Sequence, residues 1–232
     1  MRILFFADIH GNGPAFESFL KHLEREKYDR IIFVGDFMGY YYNAVSILRY
    51  CRDNKIECLL GNHDSYFLRM LDGQIDEATL VKKYGNSYSI AKNEITPTDL
   101  QFLRSLPTHL SFESHKQNIF ACHGSPNDYL EGRIYPDTDL SLFAEAANKF
   151  EYIVCANTHH KIVRKFGSST FFNPGSLGQQ RDGKGCSYLL LDTASGDYEF
   201  KIVTYQIEKL EEKIDLIDNG RLGLKSVLRR TT

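Results

Sequence analysis

The chain has 232 residues, 42% of them hydrophobic and 25% charged, proportions of a globular protein long enough to bury a core without disulfide staples. Its 28 Lys and Arg stand against 30 Asp and Glu, a formal charge of −2, which excludes the strong basic excess of a general nucleic-acid or anionic-membrane binder. A small phosphorylated ligand stays open, because a metal ion can supply positive charge locally.

Arg2–Ala7 is a continuous apolar run, the pattern of a strand buried on both faces, and it meets polar residues too soon to be a secretion signal. Asn12–Lys27 follows as a helix with Pro14 in its first turn and Phe16, Phe19, Leu20 and Leu23 on one stripe. Arg30–Gly35 is a second buried strand, Asn43–Asn54 a helix and Ile56–Leu60 a third strand. This β-α-β-α-β opening predicts a parallel sheet with helical crossovers. Asp76–Asn93 carries one long helical pattern interrupted at Gly85, and Thr96-Pro97-Thr98-Asp99 caps another helix. His109–Glu113 and Asn118–Cys122 read as strands, Asp139–Phe150 as a helix and Tyr152–Cys155 as a strand. Two hairpins follow, Ile162–Phe166 with Thr170–Asn173 and Cys186–Asp192 with Tyr198–Tyr205, and Ile207–Ile217 closes as a helix.

Neither half has strands enough for a core of its own, so one domain over residues 1–232 with two packed sheets is expected, its basic tail 221–232 only partly ordered. The five cysteines are odd in number and lack CxxC spacing, which predicts free thiols and a reducing, cytoplasmic compartment. No segment approaches the roughly 20 apolar residues that span a bilayer, so no membrane partner is expected.

Polar residues gather where the predicted strands end. The first strand runs into Asp8-Ile9-His10-Gly11-Asn12, the second into Gly35-Asp36 and the third into Gly61-Asn62-His63-Asp64. Two later strands run into His123-Gly124 and Asn157-Thr158-His159-His160. Ligands of open α/β sheets bind beyond the carboxyl ends of the strands. Carboxylate, imidazole and amide donors without thiolate suit Mn, Fe, Zn, Co or Ni, and the set exceeds one tetrahedral site. A carboxylate such as Asp36 can bridge two ions roughly 3.5–4 Å apart, the spacing of two-metal phosphoryl-transfer sites.

The ordered motifs DIHGN, GD, GNHD, HG and THH resemble the calcineurin-like metallophosphoesterase superfamily, whose pattern is DxH, GD, GNH[DE], H and GHxH. The segment Asn173–Asp182 looks like the NPGS-G-PRD stretch of its small prokaryotic phosphodiesterase branch, so the resemblance covers about Arg2–Tyr205. It implies a four-layer α/β/β/α sandwich of two mixed sheets flanked by helices, with two divalent or trivalent metal ions on its rim. By matching position, Asp8, His10 and His159 hold one metal, Asp36 bridges, and Asn62 and His123 hold the other. His63 is implied not as a ligand but as the group that stabilises or protonates the leaving oxygen, with Asp64 orienting it and Asn12 donating to a phosphate oxygen. Asn157 stands where the family has the first His of GHxH, so the second metal site is expected to be weaker, selective for a harder ion or partly empty, with His160 as a less favoured substitute.

The implied activity is hydrolysis of a phosphodiester or phosphomonoester, in a small molecule or nucleotide, by in-line attack of a hydroxide generated at the metals. Three alternatives stand beside it: a diadenosine-polyphosphate or nucleotide hydrolase, supported by Tyr40-Tyr41-Tyr42; a protein phosphatase; and a non-catalytic binding scaffold of the same fold, supported by Asn157. The tyrosine loop reads slightly better as a packing lid. His22, His109 and His115 read as structural or solvated, and Lys225, Arg229 and Arg230 as a solvated helix face.

Overall fold

The structure, a computed structural model, describes residues 1–230. β1 (Arg2–Phe6) pairs in parallel with β2 (Arg30–Phe33), and β2 with the two-residue β3 (Glu57–Cys58). The crossovers are α1 (Gly13–Leu23) and α2 (Ala44–Asp53). α1 begins on a capping bond from the Ala15 N–H to the Asn12 carboxamide oxygen. Four helices follow: α3 (Asn62–Leu71), α4 (Glu77–Tyr84), α5 (Ser87–Glu94) and α6 (Pro97–Ser105). The predicted helix 76–93 is thus two, because Gly85 takes a φ of 81° between them. α6 starts on the expected Thr96–Asp99 capping box with Pro97 in the first turn.

β4 (His109–Ser114), β5 (Gln117–Cys122), β6 (Tyr152–Val154), β7 (Lys161–Phe166) and β8 (Ser169–Pro174) make the second sheet. A 3₁₀ turn (Leu140–Phe143) and the single helical turn α7 (Ala144–Ala147) replace the longer helix predicted before β6. β9 (Cys186–Asp192) and β10 (Tyr198–Val203) return to the first sheet. The strand orders are β10-β9-β1-β2-β3 and β4-β5-β6-β8-β7, each mixing parallel and antiparallel pairs. α8 (Ile207–Asp218) and α9 (Leu222–Leu228) follow, making nine helices among the described residues.

Alternation of side chains along the strands sorts the core into layers. Ile3 and Phe5 face inward with Ile32 and Val34 and pack on Ile119, Ala121, Val154 and Phe172 of the second sheet. Leu4, Phe6 and Phe33 face outward onto Phe16 and Phe19 of α1 and Leu48 of α2. On the far side, Phe120, Ile153 and Phe171 pack on Phe143 and Ala147. Helices, sheet, sheet and helix stack as the four expected layers.

The expectation of a partly ordered tail is corrected over Leu222–Leu228: Leu224 and Leu228 are buried with Tyr41 and Tyr42 against Leu210 and Ile214 of α8, and Lys225 and Arg229 pair with acids of α8. Thr231 and Thr232 lie outside the described residues. The five cysteines are free and buried. Among the described residues no helix is long and apolar enough to cross a membrane.

Candidate metal centre

Sheet order brings β1, β2 and β3 side by side in one layer and β5 and β6 side by side in the other, so their carboxyl ends meet at one rim. The backbone there is strained. Asp8 (φ 53°), His10 (48°), Asp36 (72°), Asn157 (63°) and His159 (61°) all adopt left-handed conformations that non-glycine residues avoid. Each costs on the order of 1–3 kcal/mol and persists only where surrounding bonds over-determine it. Those bonds are present. The Asp8 N–H donates to the Gly35 carbonyl and the His10 N–H to the Asp36 carbonyl, both at 3.0 Å, and the Ser176 hydroxyl donates to the Asp8 carbonyl at 2.7 Å. Gly61 is required sterically, since a Cβ there would collide with the Asp36 carboxylate and main chain.

The side chains converge. His159 Nε2 lies 3.1 Å from His10 Nε2 and 3.4 Å from Asp8 Oδ1. Asp36 Oδ2 stands between the two halves, 3.6 Å from His10 Nε2 and 3.3 Å from His123 Nε2. His123 Nε2 also lies 3.1 Å from Asn62 Oδ1 and 3.9 Å from Asp8 Oδ1. All three imidazoles are tied by Nδ1–H to a backbone carbonyl: His10 to Met38 (2.8 Å), His123 to Val34 (2.8 Å) and His159 to Gln179 (2.6 Å). A carbonyl only accepts, so the proton sits on Nδ1 and each Nε2 faces the others, the orientation of a metal-ligating histidine.

Two groups, Asp8–His10–His159 and Asp8–Asp36–His123, place their donor atoms close enough to hold a cation. Both oxygens of Asp8 and Oδ2 of Asp36 are buried without a hydrogen-bond partner among the described residues. Orphaned buried carboxylate oxygens are strongly destabilising, and the lone pairs of His10 and His159 face one another across 3.1 Å. Cations relieve both defects at once, so the residues present fit metal ions.

Without a cation the charges settle unevenly. Burial pushes the Asp8 carboxyl up to about 7 and the His10 imidazole down to about 4. Burial also opposes charge on Asp36 and His123, but their mutual attraction wins: the Asp36 carboxyl is held well below its ordinary range and His123 is raised to about 10. Burial, then Arg181 beside it, hold the His159 imidazole well below its ordinary value.

Residues 1–196 match the family profile "Calcineurin-like phosphoesterase superfamily domain". The chain belongs to the calcineurin-like phosphoesterase superfamily. It is 26% identical over 230 residues to the uncharacterized protein MJ0912 of Methanocaldococcus jannaschii, 91% of each chain being covered. Among solved structures it is similar to hypothetical protein PH1004 from Pyrococcus horikoshii OT3, at TM-score 0.83 and 18% identity, covering 100% of this chain and 98% of that one. It is also similar to a metallophosphoesterase from Sphaerobacter thermophilus, at TM-score 0.76 and 23% identity, covering 98% of each chain. The superfamily fold implies divalent metal ions and activity on phosphoesters.

Within this superfamily fold, Asp8, His10, Asp36, Asn62, His63, His123 and His159 share one neighbourhood, and two expectations need correction. Asn12 is not available to a phosphate: its amide donates to the Gly178 carbonyl (2.7 Å) and the Tyr205 hydroxyl (3.0 Å), its oxygen caps α1, and it is fully buried. Asp64 does not orient His63. Its carboxylate accepts from the backbone N–H groups of Asp36, Met38 and Gly61, each at 3.0 Å, so it shapes the loop that carries Asp36. The partner of His63 is Tyr88, whose hydroxyl lies 2.8 Å from Nδ1. No motif marked Tyr88, which reads in sequence as an ordinary core position of a helix.

Asn157 lies at the rim with its amide nitrogen donating to the Gly132 carbonyl at 3.0 Å, and only its oxygen remains for a cation. His160 donates to the Thr158 carbonyl beside Tyr135, away from the cluster. The tyrosine loop divides its work. Tyr41 and Tyr42 hold the C-terminal helices through Leu224 and Asp218, while the Tyr40 ring packs 4.8 Å from His10 and 5.1 Å from His63. Glu131, from the segment before β6, accepts from Asn62 at 3.3 Å and from Tyr66 at 2.8 Å, a contact no sequence signal announced.

Proposed function

We propose that the protein is a binuclear metal-dependent phosphoesterase that hydrolyses a phosphorylated small molecule or nucleotide. The observation that carries this reading is the set of orphaned carboxylate oxygens on Asp8 and Asp36 among three inward-facing Nε2 atoms. Asp8, His10 and His159 would hold one ion, Asp36 would be shared, and Asn62 and His123 would hold the second with the Asn157 oxygen beside them. Bound ions supply Lewis acidity toward phosphoryl oxygens and lower the pKa of water at the rim.

The chain's own residues do the rest. Only His63 and Asn157 of this set reach as much as 7% exposure, so a phosphoryl group approaches on their side. The Tyr88 hydroxyl lies 2.8 Å from His63 Nδ1 and donates to the His63 carbonyl at 3.5 Å, contacts that fix the ring and leave Nε2 as its free nitrogen. Nε2 is the atom that would pass a proton or a hydrogen bond to the leaving oxygen. Burial and the neighbouring imidazoles hold the His63 imidazole well below its ordinary pKa. A binding scaffold of this fold has no use for such a donor.

The test is metal analysis together with hydrolysis of an aryl phosphomonoester and an aryl phosphodiester by Mn-loaded protein. The reading expects about two metal equivalents per chain and turnover of at least one substrate. Folded protein that takes up no metal, or cleaves neither, overturns it.

A further inference from the structure

Arg181 brings a guanidinium to the rim without an acidic partner among the described residues. Its Nη2 donates to the Tyr40 hydroxyl at 3.2 Å and to Gln179 Oε1 at 3.0 Å, and its backbone N–H donates to the His159 carbonyl at 3.3 Å. Both side-chain partners are neutral. The acid next to it in the chain, Asp182, is engaged by Lys161 at 3.0 Å. Arg181 is half-buried, and Nε and Nη1 have no partner among the described residues. A guanidinium carries five N–H donors in a rigid fork suited to carboxylate or phosphate, so one held this way lacks its anion.

Its surroundings say where that anion sits. Tyr40, which holds the guanidinium, packs its ring on His10 and His63. Gln179, the other holder, receives the His159 Nδ1–H on its backbone carbonyl. Arg181 is therefore bonded to the two residues that shape the Asp8–His10–His159 side, next to His63.

We infer that Arg181 binds a phosphoryl oxygen of the substrate and that the site favours a terminal phosphomonoester over a phosphodiester. This rests on the phosphoesterase reading above. A monoester has three non-bridging oxygens and, with a second pKa near 6, close to two negative charges at neutral pH. A diester replaces one of those oxygens with its second ester link and keeps a single charge. The oxygen and the charge that distinguish the two substrates are what an unpaired guanidinium recognises. A hydrogen bond to a charged group is worth roughly 10- to 100-fold in binding.

The experiment compares wild type with Arg181→Met and Arg181→Lys in the metal-loaded protein, using p-nitrophenyl phosphate, bis(p-nitrophenyl) phosphate and inorganic phosphate. In Arg181→Met the monoester-to-diester ratio of kcat/KM should fall by about 10-fold or more, and calorimetry should show phosphate binding weakened by about the same factor. Arg181→Lys, which keeps the charge and loses the fork, should fall between the two. Thermal melting and metal content verify that each variant is folded and loaded. Equal losses on both esters, or unchanged phosphate affinity, overturn the inference and leave the phosphoesterase reading standing. A wild type that cleaves neither ester removes the reading, and the inference with it.

Discussion

On one side of Asp36 the rim offers Asp8, His10 and His159; on the other it offers His123 beside the Asn62 carboxamide, with a second carboxamide, Asn157, on the loop after β6. Left-handed backbone and an imidazole pinned to a carbonyl occur on both sides, at Asp8, His10 and His159 on the first and at Asn157 and His123 on the second. The second depends on amides, whose oxygen and nitrogen ends look alike to packing but not to a cation. What orients them is remote. Asn62 donates to Tyr66 and Glu131, each at 3.3 Å, with its oxygen toward His123, and Asn157 donates to the Gly132 carbonyl, so the 124–139 segment holds both amide nitrogens. The lesson is that both halves are oriented by remote partners, the imidazoles by carbonyls of Met38, Val34 and Gln179 and the amides by a loop that no motif marks.

The largest test of this contrast removes what the halves share. Asp36→Asn should lower metal content from about two equivalents to one or fewer and cost at least about 10³-fold in turnover; retention of both ions would show that the halves are independent. Next, His63→Ala should keep its metal and lose about 10²–10⁴ in kcat, the span of general acid–base groups. Loss of metal instead would make His63 a ligand and redraw the second half. Asn157→His should convert the amide half toward the imidazole half and tighten its ion about 10-fold for Zn or Ni, read by competition with a chelator. Unchanged affinity would place Asn157 outside the site.

A smaller effect separates the halves by pH. In metal-free protein His123 titrates at about 10, above its ordinary 6.5, because of Asp36 despite burial. Its stabilisation is full below pH 6.5 and is lost as pH rises through 10, so the melting temperature should fall by at least about 3 °C across that window. A flat or rising profile contradicts the Asp36–His123 pair. Bound metal, which displaces the His123 proton, should flatten the slope. Smallest on catalysis is Asn12→Ala, which should cost about 0.5–2 kcal/mol of stability through the lost cap while kcat stays within about 3-fold. A catalytic loss of 10² would return Asn12 to the phosphate.

The cluster Asp8, His10, Asp36, Asn62, His123 and His159 was legible because each follows a strand recognisable from its apolar run, and strand ends of one layered sandwich must share a rim. The roles of Asn12 and Asp64 were misread for a common reason. Short polar side chains beside glycines serve equally as ligands or as caps for backbone N–H groups, and only the neighbouring segment decides which. Tyr88 and Glu131 were invisible, since one sits in an amphipathic helix pattern and the other in a polar loop. The break at Gly85 was marked in the sequence, but the collapse of the predicted 139–150 helix into a 3₁₀ turn and one helical turn was not, because propensity is a weak prior over so short a stretch.

By itself the sequence determined the strands, their alternation into inner and outer faces, and the donor atoms at their ends. Hydrophobic periodicity and side-chain chemistry are local properties, written residue by residue. The tertiary structure alone decided which donors face one another, which amide end points inward and which cation is left without an anion. Those are outcomes of contacts between distant segments, such as Ser176 with Asp8, 168 residues apart, and no local pattern encodes them.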